Sequence, residues 1–115
     1  PVAFGRADPN ADIYNETARC LSGFTTDRGS PLQVVRIASP GRIEGEDGDI
    51  VPASHMNFLI ANEAVIVPLY DEESGAYAVE ALRSLFPERT VIGLPSRAIL
   101  TGGGSFHCIS QQEPA

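Results

Sequence analysis

Apolar residues recur along this chain at two spacings, one typical of helices and one typical of strands. A stripe at helical spacing between Ala11 and Leu21 predicts an amphipathic helix, with Asp8-Pro9-Asn10 supplying a cap and a first-turn proline and Gly23 a natural stop. A second stripe predicts a helix from about Gly75 to Leu85, because acidic residues and Ser74 precede it and Pro87 follows it.

Between the helices, short runs of β-branched and apolar residues predict strands. These runs are Leu32–Ile37, Met56–Ala61, Ala64–Leu69 and Thr90–Leu94, and a glycine turn leads into a last extended segment within Ile99–Ser110. Two residues, Asn62 and Glu63, separate the second run from the third, which predicts a hairpin. The central β-β-α-β order predicts an α+β fold with a mixed sheet covered by helices, and 115 residues suffice for a single domain over 1–115.

Net charge, apolar runs and cysteine count limit the kinds of molecule that this chain is expected to bind. The formal net charge is −7 and the eight basic residues are all arginine, so the chain repels phosphate backbones and attracts small cations. The sequence contains no apolar run of the roughly 18 residues that a membrane span requires, and its first residues lack the pattern of a signal peptide. We therefore expect neither a nucleic acid nor a membrane as partner. Two distant cysteines do not form a disulfide framework, which makes the cytoplasm the default location.

The segment from Ser39 to Pro52 is rich in proline, glycine and acidic residues. Such composition favours a solvated loop. A cation site is the alternative, but the acidic positions do not have the spacing of an EF-hand loop. We therefore expect no metal.

The residues that carry the most distinctive chemistry lie near the end of the chain. Three glycines, Gly102 to Gly104, precede His107 and Cys108 by a few positions. Glycines allow positive φ and close approach to the backbone, and a cysteine beyond such a turn can present its sulfur in a cleft. A buried, inert cysteine is the competing interpretation.

The segment that begins at Gly102 is similar to the closing signature of the agmatine deiminase and bacterial peptidyl-arginine deiminase family. That signature has three glycines, Asn, Ile, His, Cys, Ile, Thr, Gln, Gln, then Gln or Glu, and Pro. Ser105, Phe106 and Ser110 depart from it. Three further stretches also resemble the family: Asp8-Pro9-Asn10, Ala53-Ser54-His55-Met56-Asn57-Phe58 and Ile60 to Pro68, with His55 in place of a tyrosine and Glu63 in place of a common glycine.

The resemblance implies the pentein fold, a propeller of β-β-α-β units with helices outside, of which this chain would be an incomplete, C-terminal part. It also implies hydrolysis of a guanidinium group of agmatine or arginine to a ureido group and ammonia, through a covalent intermediate on Cys108 and without a cofactor. Gly103, Gly104 and Asn57 are then candidates for binding substrate or shaping the loop around the cysteine.

Other functional residues of the family are not found by motif. The family's His-Gly-His-x-Asp-like motif, which carries its acid/base histidine, is absent, and His55 and His107 are the two histidines of the chain. For His55 a structural or surface role is favoured over catalysis, and His107 is expected to face away from the sulfur if the segment is a strand. Cys20 is expected in the core. Arg97 either pairs with a carboxylate, helps to position the Cys108 loop, or lies at the surface.

Two hypotheses about function remain. In the first, the chain is the nucleophile-bearing part of a guanidine deiminase. In the second, it is a catalytically inactive pentein remnant that acts as a binding or assembly module. Under either, an incomplete propeller exposes strand edges and apolar faces, so we expect a homodimer or higher homo-oligomer.

Overall fold

The computed structural model of this chain describes residues 1–5 and 8–113. Arg6 in the N-terminal stretch and Pro114 in the closing motif lie outside the described residues. The order of elements is α1 (Ala11–Leu21), β1 (Leu59–Ile60), β2 (Ala64–Leu69), α2 (Glu72–Leu85), β3 (Thr90–Pro95) and α3 (Arg97–Leu100). No helix in these ranges is long and apolar enough to cross a membrane.

The predicted β-β-α-β unit is present from β1 to β3. β1 pairs antiparallel with β2, in the register Leu59 to Ile66 and Ile60 to Val65, and β2 pairs parallel with β3. The sheet is therefore mixed, with the order β1-β2-β3. Asn62 and Glu63 form the tight connection, closed by a hydrogen bond from the Ala61 amide to the Ala64 carbonyl at 2.8 Å.

β1 is shorter than the predicted strand, and Pro68 explains why. Continuing the β1–β2 register places Asn57 opposite Pro68, which has no N–H to donate to the ladder. The chain from Ser54 to Asn57 therefore leaves the sheet as a turn, with the Asn57 amide donating to the Ser54 carbonyl at 3.1 Å.

α2 starts earlier than predicted because Asp71 is its N-cap. The Asp71 carboxylate accepts from the Ser74 amide at 2.8 Å, and Glu72 and Glu73 follow in the first turn, near the positive end of the helix dipole. One face of α2 then packs on β2 and β3. The buried core residues of this layer are Ile37, Val65, Val67, Ala78, Val79, Leu82 and Val91.

Two predicted strands are absent. Among the described residues Leu32–Ile37 forms no strand, and isolated bridges lie on either side of it, Thr25 with Pro31 and Val2 with Ala38. A β-branched sequence favours an extended backbone without supplying a partner strand. The glycine turn predicted within Ile99–Ser110 is present at residues 101–103, directly after the short helix α3. The extended segment predicted after it is wrong, because residues 106–109 form another turn.

Candidate functional site

The turn Ser54–Asn57 lies at the edge of the sheet where the parallel strands β2 and β3 end. The register of β1 sets this position, since the residues before β1 run alongside the carboxyl end of β2. α2 begins just after β2, and α3 begins just after β3, so both helices start at this same edge. In sheets of parallel strands this edge is where ligands commonly bind. The loop that carries Cys108 also returns here.

Two glycines shape that loop. Gly103 has φ +84°, a conformation that side-chain-bearing residues rarely adopt. A Cβ on Gly104 would lie 2.7 Å from the Cys108 Cβ and 2.9 Å from its Sγ, so only glycine leaves room for the cysteine there. The loop is tied to the end of β3 by a buried hydrogen bond between the hydroxyls of Ser96 and Ser105.

Asn57 and Cys108 meet although 51 residues separate them. The Asn57 Nδ2 donates to the Cys108 Sγ at 3.0 Å, while its Oδ1 lies 3.5 Å from the same sulfur. The backbone joins the two segments as well, because the His107 amide donates to the Asn57 carbonyl at 3.3 Å. The sulfur itself is exposed. The Cys108 thiol is thus accessible and held by an amide donor.

This environment lowers the pKa of the Cys108 thiol. The hydrogen bond from Asn57 is the main cause, followed by a backbone hydrogen bond at Ser105, and both outweigh the opposing effect of partial desolvation. A donor directed at sulfur stabilises the thiolate, which is the nucleophilic form. The geometry therefore favours a reactive cysteine.

The strand alternation that was expected to turn His107 away from Cys108 does not occur. Residues 106–109 form a turn and not a strand, with the Ile109 amide donating to the Ser105 carbonyl at 3.2 Å. Alternation of side chains along a strand therefore does not apply. In the described part of the chain, the side chain that hydrogen-bonds the sulfur is that of Asn57, and the His107 side chain is exposed.

The second cysteine is not in the core, contrary to expectation. Cys20 is exposed on α1, where its Sγ lies 3.5 Å from the Glu16 carboxylate. That contact raises the pKa of the Cys20 thiol, because a neighbouring carboxylate disfavours the thiolate. The apolar stripe of α1 predicted its burial wrongly, since no residue of α1 is buried. The chain thus carries two exposed thiols whose pKa values are shifted in opposite directions.

His55 is fully buried beside the site. Its Nδ1 lies 2.7 Å from the Pro68 carbonyl oxygen, and its Nε2 lies 2.9 Å from the Ser74 hydroxyl. The Ser74 hydroxyl also bonds to the Asp71 carboxylate. His55 is therefore not at the surface, and its buried contacts are those of a structural residue. From the sequence, its partners Asp71 and Ser74 are recognisable only as residues that precede a helix.

Arg97 joins two loops through backbone carbonyls, with guanidinium nitrogens 3.3 Å from the Tyr70 oxygen and 3.4 Å from the Glu44 oxygen. It lines an open cleft of about 440 Å³ between the acidic loop and α3. Four exposed carboxylates line the same cleft: Glu44, Glu46, Asp47 and Asp49. Within the described residues no group of three or more His, Cys, Asp or Glu is arranged to hold a metal ion. The cleft is acidic, and Cys108 is not among its lining residues.

Comparison with known proteins identifies the family. The family model described as Porphyromonas-type peptidyl-arginine deiminase matches residues 2–114. The chain belongs to this family. A protein of Enterococcus faecalis named "Putative agmatine deiminase" is 47% identical over 126 residues, covering 93% of this chain and 34% of its own length. A Lactococcus lactis protein of the same name is 38% identical, covering 92% of this chain and 33% of its own length.

Solved structures of the family have the same fold in the matched region. The agmatine deiminase of Enterococcus faecalis superimposes with a TM-score of 0.87 at 30% identity, covering 97% of this chain and 36% of that one. A Porphyromonas gingivalis structure titled "Putative Arginine Deiminase" gives a TM-score of 0.89 at 31% identity, covering 98% of this chain and 33% of that one. The chain therefore spans about a third of the length of the proteins that it matches.

Proposed function

We propose that this chain is the nucleophile-bearing part of a guanidine deiminase, with Cys108 as the nucleophile. One observation carries the proposal: an exposed thiol held by the Asn57 amide, with a lowered pKa, in a segment matched by the family model. The names of the relatives support agmatine or an arginine side chain as the substrate. The acidic surface supports a cationic substrate in general.

In the proposed reaction the Cys108 thiolate attacks the guanidinium carbon. A carbon–sulfur bond forms, the bond to one terminal nitrogen breaks, and that nitrogen leaves as ammonia after gaining a proton. Water then adds to the same carbon and the carbon–sulfur bond breaks, which releases a ureido product and regenerates the thiolate. The net reaction consumes one water, is not a redox reaction and needs no cofactor.

The remaining groups of the site belong to polypeptide outside these residues in this proposal. A histidine for proton transfer and carboxylates that clamp the guanidinium by paired hydrogen bonds are needed for turnover. The β1-β2-α2-β3 unit is proposed to be one unit of an incomplete pentein propeller, with Asn57 and the glycine loop at its catalytic edge. Gly103 and Gly104 shape the loop in this proposal, and Asn57 stabilises the thiolate.

Location and partners follow from the same proposal. Both cysteines are free, which supports a reducing compartment such as the cytoplasm. A homo-oligomer would cover the exposed strand edge, and neither a nucleic acid nor a membrane is proposed as a partner, since the chain is acidic.

A paired measurement tests the proposal. The protein is incubated with agmatine, with free arginine and with an arginine peptide, and the ureido product is assayed. In parallel it is treated with a haloacetamidine, which resembles a guanidinium, and with the neutral haloacetamide, and adducts are located by mass spectrometry. We expect the amidine to label Cys108 faster than Cys20, and the neutral reagent to show a smaller preference.

The Cys108→Ala and Cys20→Ser variants are the matched controls. Product that disappears in Cys108→Ala and persists in Cys20→Ser would establish catalysis by this chain. Selective amidine labelling of Cys108 without product supports a competent nucleophile that lacks its partner groups. If the protein forms no product and shows no selective labelling, the assignment of Cys108 is overturned and an inactive binding or assembly module is favoured.

A further inference from the structure

The hydrogen bonds that begin at His55 fix how many protons His55, Ser74 and Asp71 must hold between them. The Pro68 carbonyl can only accept, so the His55 Nδ1 must carry a proton. Two further hydrogen bonds follow, one between Nε2 and the Ser74 hydroxyl and one between that hydroxyl and the Asp71 carboxylate. Each of them needs a proton of its own. Ser74 has a single hydroxyl proton. All three bonds therefore exist together only when one further proton is held on Nε2 or on the Asp71 carboxyl.

This buried chain of bonds anchors the turn that holds Cys108. His55 is the second residue of the turn Ser54–Asn57, and its ring fixes that turn to β2 and to the first turn of α2. Asn57 is the last residue of the same turn, and it contacts Cys108 through both its side chain and its backbone carbonyl. Because Pro68 ends the β1–β2 ladder, the bond from the His55 ring to the Pro68 carbonyl ties the turn to β2 here.

We propose that His55 is a positioning residue whose bonds through Ser74 to Asp71 hold Asn57 against the Cys108 thiol and so set the reactivity of that thiol. This inference rests on the proposed function for the identification of Cys108 as the nucleophile. His55 acts through Asn57 and touches no reacting atom.

The same bonds make the position of Asn57 sensitive to pH. The titratable groups facing His55 are Asp71 and Tyr70, whose ring centroid is 5.5 Å from the imidazole. Burial lowers the pKa of His55, while the Pro68 carbonyl and the charge of Asp71 oppose that effect. Because the pKa of His55 is lowered, the extra proton leaves as the pH rises toward neutrality, and above that pH the Ser74 hydroxyl can donate to only one of its two neighbours. The Asp71→Asn substitution would supply a permanent N–H donor and satisfy all three bonds with neutral His55.

The test measures iodoacetamide alkylation of Cys108 from about pH 6 to about pH 9, the range in which thiols titrate. Cys20 in the same molecules is the reference thiol. Four proteins are compared: the unmodified chain, Ser74→Ala, Asp71→Asn and Val79→Ala. Val79 is a buried core residue of α2 outside the bonded chain, so its truncation controls for lost stability. Thermal unfolding is recorded for each protein.

We expect Ser74→Ala to lower the Cys108 alkylation rate near pH 7 by about three- to tenfold and to move its pH midpoint upward, as loss of the Asn57 donor requires. Asp71→Asn should keep the rate within about twofold, since its amide restores the missing donor. Val79→Ala should lower the melting temperature without moving the Cys108 midpoint. The Cys20 profile should be the same in all four proteins.

An unchanged Cys108 profile in folded Ser74→Ala would overturn the proposal, and so would an equal shift in Val79→Ala. If Ser74→Ala does not fold, His55→Phe, which keeps the ring volume and removes both ring bonds, replaces it under the same criteria. Alkylation requires no turnover. Absence of both a ureido product and selective amidine labelling of Cys108 would therefore count against the proposed function and leave this test valid.

Discussion

At the scale of single residues, the site depends on which side chains can approach the Cys108 sulfur. Asn57 supplies the donor, and Gly104 supplies the space. The pattern Gly-Gly-Gly-x-x-His-Cys made Cys108 a candidate without the structure but left a buried, inert cysteine as the alternative, and the exposed Cys108 of the structure excludes burial. The contact between Asn57 and Cys108 could be suspected only from the resemblance, because 51 residues separate the two and no local rule links them.

Replacing Gly104 by alanine tests the need for this space. The added Cβ would lie 2.7 Å from the Cys108 Cβ, so the cysteine must shift away from Asn57. We expect the Cys108 alkylation rate near pH 7 to fall by about tenfold, the effect of raising a thiol pKa by one unit. Gly102→Ala is the matched control. Its Cβ would meet the Ile99 carbonyl at an ordinary 3.5 Å, and alkylation should hardly change. Equal rates in both variants would contradict the prediction.

At the scale of elements, local signals predicted the unit that builds the site better than the segments around it. β2, α2 and β3 have strong apolar patterns, and the Asp71 cap marks the start of α2, so these elements were found with small errors in their bounds. Leu32–Ile37 has an equally strong β pattern but forms no strand in the described chain, where isolated bridges lie only at its two ends. Whether a strand forms depends on partners distant in sequence, which a local pattern does not contain.

The packing of α2 on the sheet yields a comparison within one helix. Leu82 is 1% exposed in the core, whereas Leu85, nearly one turn later, is 42% exposed. We expect Leu82→Ala to lower the free energy of unfolding by about 2–5 kcal/mol, because it removes buried apolar area and leaves a cavity. Leu85→Ala should cost less than about 1 kcal/mol, as surface changes usually do. Urea denaturation of both variants measures the difference, and similar costs would show that α2 is not packed as described.

At the scale of the whole molecule, the described chain is flatter and more open than a compact domain of its length. The Cα radius of gyration is 15.0 Å. A compact domain of this length would have a radius of about 13 Å. α1 has no buried residue, and β3 forms the free edge of the sheet. The sequence predicted exposed apolar faces only through the resemblance to a longer family, since composition alone is that of an ordinary globular chain.

The free edge of β3 leads to the last prediction, that this chain associates with itself in solution. Ile92 and Leu94 are 40% and 43% exposed on the edge strand, where backbone groups without partners favour pairing with another strand. We expect light scattering at tens of micromolar to give a mass of at least twice the 12.2 kDa of one chain. Ile92→Lys should shift the mass toward one chain, because a lysine on an edge strand opposes pairing. Ser84→Lys, which adds the same charge at an exposed position of α2, should leave the mass unchanged. A mass of one chain for the unmodified protein would refute the prediction.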